Sequence, residues 1–242
     1  MVKQKVTEPE QYDQKLTQDY GKQGSHKYFD LASEDFNDPK LNWTKILELK
    51  KDGYSAVVHR RPLEGDTKGC NMMKAELKYS DAKIDWYNQM VRNGPPMDNM
   101  VERRFIKQEG DYRYYYLRVK IGKFVSDREV VIRKLDTWLD DGSLLYSIES
   151  VDLPEEQPRK DYVRMEMFKT VLVKQDPESP DDLLVTEYSN MDMKGYFPPR
   201  IMNMMTGAIL SKGYAKLRKV LIEIKANQGV YVDPHEETTA ST

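Results

Sequence analysis

The chain has 242 residues, a formal net charge of -2, 39% apolar residues and 32% charged residues. That length is ample for one large domain with a buried core, and the balanced charge excludes a whole-molecule attraction to nucleic acid or to a strongly anionic membrane. No run approaches the ~20 apolar residues of a bilayer-spanning helix. The N-terminus, MVKQKVTEPEQYDQ, lacks the apolar core of a signal peptide, and the single cysteine, Cys70, leaves no intrachain disulfide. A cytoplasmic setting is therefore expected, with any membrane contact transient and peripheral.

Residues 1–24 are polar with few aliphatic anchors and read as a tail, with a helical turn around Tyr12 to Leu16. Leu41 to Lys50 (LNWTKILELK) spaces Leu41, Ile46 and Leu49 as a short amphipathic helix does, and Asp52-Gly53 ends it. Two strand-like runs follow, Tyr54 to Arg60 and Cys70 to Lys78, across a turn-rich stretch. Asp81 to Arg92 returns to helical spacing through Ile84, Tyr87 and Met90, and Gly94-Pro95-Pro96 stops it. Six strands are then expected: Val101 to Gln108, Tyr112 to Ile121, Arg128 to Trp138, Leu144 to Val151, Val163 to Lys174 and Leu183 to Asn190. Tight-turn residues such as Glu109-Gly110-Asp111 separate them. A long helix runs from Pro198 or Pro199 to about Ala226, and residues 228–242 form a second polar tail. One domain over residues 25–227 results, of α+β class. Its antiparallel sheet carries helices on one side, and a hollow between sheet and last helix suits a ligand better than catalysis.

Motifs for chemistry are missing: no Gly-rich phosphate loop, zinc-ligand spacing or nucleophile elbow is present. His26, His59 and His235 are scattered, and His59 reads as a structural or surface residue of a strand. No cofactor, metal or catalytic residue is expected. Most of the 13 methionines, Met72, Met90, Met165 and Met202 among them, fall in predicted strands and helices. Their flexible, polarizable side chains suit a cavity for an irregular apolar ligand, and ordinary core filling explains them too.

Two segments carry a pattern: VKIGKFVSDREVVIRK from Val119, with Ser-Asp-Arg-Glu opening a strand, and NMDMKGYFPPRIMNMMTGAILSKGYAKLRKVL from Asn190, with Lys-Gly and Pro-Pro leading into the last helix. Together with Leu41 to Arg60, a Trp-bearing stretch followed by a Val-rich strand, they resemble the START family of lipid-transfer domains, over about Asn42 to Ala226. The resemblance implies a helix-grip fold: a curved antiparallel sheet around the C-terminal helix, with a hydrophobic cavity that this helix lids. It implies a monomeric, non-enzymatic carrier of one lipid molecule, a sterol, phospholipid or ceramide, and no nucleic-acid partner. Two alternatives stay open: a helix-grip enzyme acting on a hydrophobic substrate, and a protein-interaction module whose cavity is filled by side chains.

Family positions carry over residue by residue. By resemblance Arg128 matches the motif arginine that faces the tunnel, and Asp98 matches a pocket carboxylate able to pair with it. Arg103 stands where several members have Glu. Leu117 and Val130 stand where choline-binding members carry aromatic residues, and Gly94 replaces a pocket arginine, so a phosphatidylcholine-specific site is disfavoured. Val101 on the same strand and Met202, Met205 and Ile209 on the closing helix complete the expected ligand-binding set. A buried Arg128 must be compensated, by Asp98 or by a lipid head, because an unpaired buried charge costs several kcal/mol. Strand alternation leaves open whether Arg103 faces in or out. Lys212, Lys216, Arg218 and Lys219 suit brief docking on anionic headgroups, and equally a solvated helix face.

The last helix carries two apolar stripes. Ile201, Met202, Met204, Met205, Ala208 and Ile209 share one face, whereas Leu210, Tyr214, Leu217, Val220, Leu221 and Ile224 lie well round from it. Gly207 and Gly213 bracket the change, which predicts a bend there and a mobile first half; a wide apolar face on a straight helix is the alternative.

Overall fold

The structure is a computed structural model that describes residues 38–62, 71–93, 98–121, 125–195 and 199–231, without the side chains of Pro39 and of residues 199–206. A short 3-10 turn, Pro39–Leu41, opens it and is capped by the Asp38 side chain, which accepts from the Lys40 backbone N–H at 2.9 Å. Three strands follow: β1 (Thr44–Lys51), β2 (Tyr54–Pro62) and β3 (Asn71–Tyr79). Helix α1 (Ile84–Asn93) separates them from β4 (Met100–Glu109), β5 (Tyr112–Val119), β6 (Arg128–Trp138), β7 (Leu144–Ser150), β8 (Val163–Arg164), β9 (Glu166–Gln175) and β10 (Leu183–Asp192). Helix α2 (Pro199–Ala226) closes the domain.

All strands join one sheet in the order β1-β2-β3-β10-β9-β7-β6-β5-β4, antiparallel throughout, with β8 alone pairing parallel to β6. This agrees with the expected α+β architecture, with two corrections. Leu41 to Lys50 is no helix: beyond the 3-10 turn it is strand β1. A bulge between Lys45 and Leu47 brings Ile46, Leu47 and Leu49 all towards the core, and that broken alternation imitates helical spacing. The single run expected from Val163 to Lys174 is two strands. The chain leaves β6 at Met165, whose N–H donates to the Glu129 carbonyl at 2.9 Å, and then pairs with β7.

Register fixes which side chains share a face. Ala56, Leu77, Val185, Val173 and Leu144 are cross-strand partners in one row over five strands. All are buried, in one core with Tyr87 and Met90 of α1 and Tyr214, Val220, Leu221 and Ile224 of α2. Burial of a Leu or Val side chain contributes about 1.5–3 kcal/mol, so this row is what binds both helices to the inner face. The second apolar stripe expected on the last helix is thus its core-facing stripe. Ala208 and Ile209, of the first stripe, are exposed. A smaller cluster on the convex face gathers Met72, Leu135, Leu145, Phe168 and Tyr188 around Trp43.

Helix α2 runs unbroken through Gly207 and Gly213. Its C-terminal half is tied down by Arg218, which donates to the Ser80 carbonyl at 2.6 Å, and by an ion pair between Lys225 and Asp81. The Arg218 side chain lies directly over Gly53, where a Cβ would collide with it and where φ is +75°. Beyond the helix the packed chain continues past residue 227. Gln89 of α1 donates to the Gly229 carbonyl at 2.7 Å and accepts from the Tyr231 N–H at 2.9 Å.

Candidate functional site

The inner face of the sheet changes character along its length. At the end nearest the start of α2 it is apolar: Leu117 and Val130, cross-strand partners, are buried with Ile132 and Met165, and Tyr115, Met167 and Met193 pack beside them. Arg103 continues that row as the partner of Leu117 on edge strand β4. A small pocket of about 260 Å³ opens beside Val130 and Met165, lined also by Ser150, Asp152 and Arg164. It is smaller than usual drug-sized sites and polar, so it is not the hollow a lipid would fill.

The next two rows are polar. Arg113, Lys134, Ile148, Lys169 and Ser189 are successive cross-strand partners from β5 to β10. Beside them run Asp136, Tyr146, Val171 and Glu187. Asp136 is buried among cations. Arg92 of α1 lies 3.1 Å from Oδ2, Arg113 pairs with the same oxygen, and the Lys134 ammonium is 3.5 Å from Oδ1. Lys134 also donates to the Val91 carbonyl at 3.4 Å and lies 5.6 Å from the Tyr146 ring centre. Burial pushes its pKa down to about 8, against the attraction of Asp136, and the neighbouring Arg113 and Arg103 push the same way.

Glu187 pairs with Lys169 at 2.7 Å and neighbours four tyrosines: Tyr79, Tyr87, Tyr146 and Tyr214. The hydroxyls of Tyr87 and Tyr146 lie 3.4 Å apart, while those of Tyr79 and Tyr214 are buried and have no hydrogen-bond partner among the described residues. Burial, with the Glu187 charge adding to it, pushes all four phenols far above their ordinary pKa, so they stay neutral donors.

The expected site residues fall in three places. Leu117, Val130 and Arg128 lie together on the buried inner face of β5 and β6. Arg128 is not paired with Asp98. Its guanidinium donates to three backbone carbonyls, Met193 at 2.9 Å, Ser126 at 2.5 Å and Lys194 at 3.2 Å. Asp98 is exposed ahead of β4 and pairs with Lys216 of α2 at 2.6 Å, which holds its carboxyl below the usual range. A carboxylate left in water keeps its hydration, so pairing at the surface with Lys216 costs less than joining a buried Arg128. Val101 is exposed, as is Ile209 at 41%, and Arg103, though in the inner-face row, is exposed because β4 is the edge of the sheet. The Arg103 guanidinium nevertheless returns to the Arg92 carbonyl at 3.1 Å and stacks on Tyr115. Met202 and Met205 belong to α2, and their side chains lie outside the described residues.

Lys134, Asp136, Lys169, Glu187, Tyr146 and Tyr214 were not among the expected residues. The signal was available: each stands in phase with buried aliphatic residues of its own element, as Lys134 does with Val130 and Ile132, where alternation calls for an apolar side chain. Among the described residues no cluster of His, Cys, Asp or Glu could hold a metal ion, and no helix is long and apolar enough to cross a membrane.

The fold has solved relatives. Human StAR-related lipid transfer protein 5 matches with a TM-score of 0.68 and 17% identity, over 83% of this chain and 94% of its own. Human STARD10 matches at 0.65 and 17%, over 89% and 87%, and a STAR-related lipid transfer protein fragment from Xanthomonas axonopodis at 0.58 and 20%, over 74% and 98%. At such identities the likeness is one of fold, the helix-grip arrangement of sheet and closing helix. No curated protein sequence matches the chain. The START domain family model matches residues 84–227, from α1 to the end of α2 and so more than half of the chain, and the chain belongs to the START domain family.

Proposed function

We propose that the protein carries one lipid molecule between membranes, bound to the inner face of the sheet beneath the first half of α2, without converting it chemically. The observation that carries this reading is the layout of that face. Its far end is a packed core that holds the C-terminal half of α2. Its near end presents buried Leu117, Val130, Ile132 and Met165, while Ala208 and Ile209 of the helix's first stripe are exposed rather than packed onto the sheet. The names of the solved relatives, lipid transfer proteins, support the same reading. Burial of acyl or ring surface in such a site, worth about 25 cal/mol per Å² relative to water, replaces the burial that the lipid gives up on leaving a bilayer. Among the described inner-face residues the polar side chains are cations, two ion-paired carboxylates, neutral phenols and the Ser150 and Ser189 hydroxyls, with no histidine beside them to serve as a base.

The test is native mass spectrometry of protein purified from cells, followed by transfer between donor and acceptor vesicles. One intact lipid per chain and catalysed transfer are expected. Conversion of a bound lipid into a new product would overturn the reading in favour of an enzyme. An empty chain that transfers nothing would favour an interaction module with a filled interior.

A further inference from the structure

The polar belt across the middle of the inner face is larger than the packing of the fold requires. Five cations, Arg92, Arg103, Arg113, Lys134 and Lys169, stand at or beside it, against two carboxylates, Asp136 and Glu187. The C-terminal carbonyls of α1 neutralise part of the difference. Val91 accepts from Lys134 and Arg92 from Arg103, and a helix C-terminus carries about half a negative charge. A positive surplus remains, and Lys134 is the costliest member of it. It is buried, its contacts are long, 3.5 Å to Asp136 and 3.4 Å to the Val91 carbonyl, and the same carboxylate also serves two arginines. One observation independent of the charges points the same way: the buried hydroxyl of Tyr214, contributed by the closing helix beside Glu187 of the belt, has no hydrogen-bond partner among the described residues. A buried polar group in that state costs about 1–3 kcal/mol, which an acceptor-rich ligand atom would remove.

We infer that the belt receives the anionic head of the carried lipid, a phosphate or carboxylate that meets Lys134 and Arg103, with the apolar body lying on Leu117, Val130, Ile132 and Met165. This deepens the carriage reading and rests on it. It also explains why the belt lies between the two apolar regions of the face. The row of Leu144, Val173 and Val185 beyond it is packed against both helices. A lipid body lying on Leu117 and Val130 therefore places its head at the belt, where that packed row stops it.

The experiment uses the full chain and vesicles of phosphatidylcholine doped with one labelled lipid of fixed acyl chains: phosphatidic acid, phosphatidylglycerol, oleate or diacylglycerol. Wild-type protein should take up the anionic lipids at least about tenfold better than diacylglycerol, since charge-assisted hydrogen bonds are the strong ones. Phosphatidic acid and phosphatidylglycerol ahead of oleate would assign the site to phosphate, and the reverse order to carboxylate. Lys134→Met should abolish the preference while diacylglycerol uptake persists. Arg103→Gln, at an exposed position that leaves folding intact, should reduce the preference severalfold. Diacylglycerol taken up as well as the anionic lipids would overturn the inference and leave carriage standing. Uptake of no lipid at all would overturn both.

Discussion

The two faces of the sheet carry similar charged residues and use them differently. On the convex face the buried and half-buried charges are matched by carboxylates. Arg104 grips both oxygens of Glu156, Arg133 pairs with Glu149, and Lys78 sits between Asp176 and Asp182. At the centre Glu129, fully buried, accepts from the Tyr116 hydroxyl at 2.8 Å, the Arg159 N–H at 2.9 Å and the Arg164 guanidinium at 3.2 Å. Arg104 and Arg159 both stack on the ring of Tyr116. This network fastens the segment between β7 and β9 to the sheet, and its charges are satisfied within the protein. The inner face keeps an unbalanced set. The difference teaches that the inner surplus does not follow from a basic composition: the same chain balances its charges where they serve structure.

Breaking the convex network should have the largest effect on stability. Glu129→Leu leaves two guanidinium or amide donors and one hydroxyl buried without an acceptor, and is expected to cost about 3–5 kcal/mol in chemical denaturation. A loss under about 1 kcal/mol would dissolve the contrast between the faces. Arg128→Leu comes next. Its three carbonyl bonds join the β5–β6 connection to the chain ahead of α2. Their removal should cost about 2 kcal/mol and speed hydrogen exchange around Met193 and Lys194.

Lys134 sharpens the comparison through pH. Burial holds its folded pKa at about 8, below the ordinary 10.5, so the unfolded chain binds more protons between those values. Stability should therefore rise with pH from about 8 towards 10.5 by up to ~1.4 kcal/mol per pH unit, relative to Lys134→Leu, which lacks the group. At pH 7, where the buried charge is present, that variant should be as stable as wild type to within about 1 kcal/mol, in contrast to Glu129→Leu. Denaturant midpoints for both proteins from pH 6.5 to 10 measure the difference, and parallel curves would show that Lys134 is not strained. The smallest effect belongs to the two helix glycines. A Cβ at Gly207 or Gly213 meets nothing within 4 Å, so either Ala variant should gain up to ~1 kcal/mol. If α2 bends there during exchange, lipid transfer slows in the stiffened variants while equilibrium binding holds.

Much of the fold was legible because alternation and turn chemistry are local. The limits of β6 agree with its sequence pattern to the residue, and α1, β7 and β10 to within about three. Strand β1 was not legible, since a bulge is set by its partner β2 and leaves no residue signature of its own. Motif positions pointed to Arg128 and Asp98 as a pair, and the pairing is what the sequence does not give: their partners are backbone carbonyls and Lys216. The belt is assembled from single charged residues on five strands, and only cross-strand register shows that Arg113, Lys134 and Lys169 stand in line.

Helix α2 is supported like a beam at both ends. Arg128 holds Met193 and Lys194 just ahead of it, and Arg218, Lys225 and the Gly229–Tyr231 return onto Gln89 hold its far end. Ties of this kind resist a rigid swing of the helix about its far end. Space beneath it grows most readily if the span itself flexes or if the free edge of the sheet, β4, moves aside. A tie from that edge to mid-span is the Asp98–Lys216 pair, whose carboxylate is exposed. Raised ionic strength screens an exposed pair first. Salt should therefore loosen the edge at mid-span while both supports stay firm, which makes the rate of loading, rather than the strength of holding, the salt-sensitive quantity.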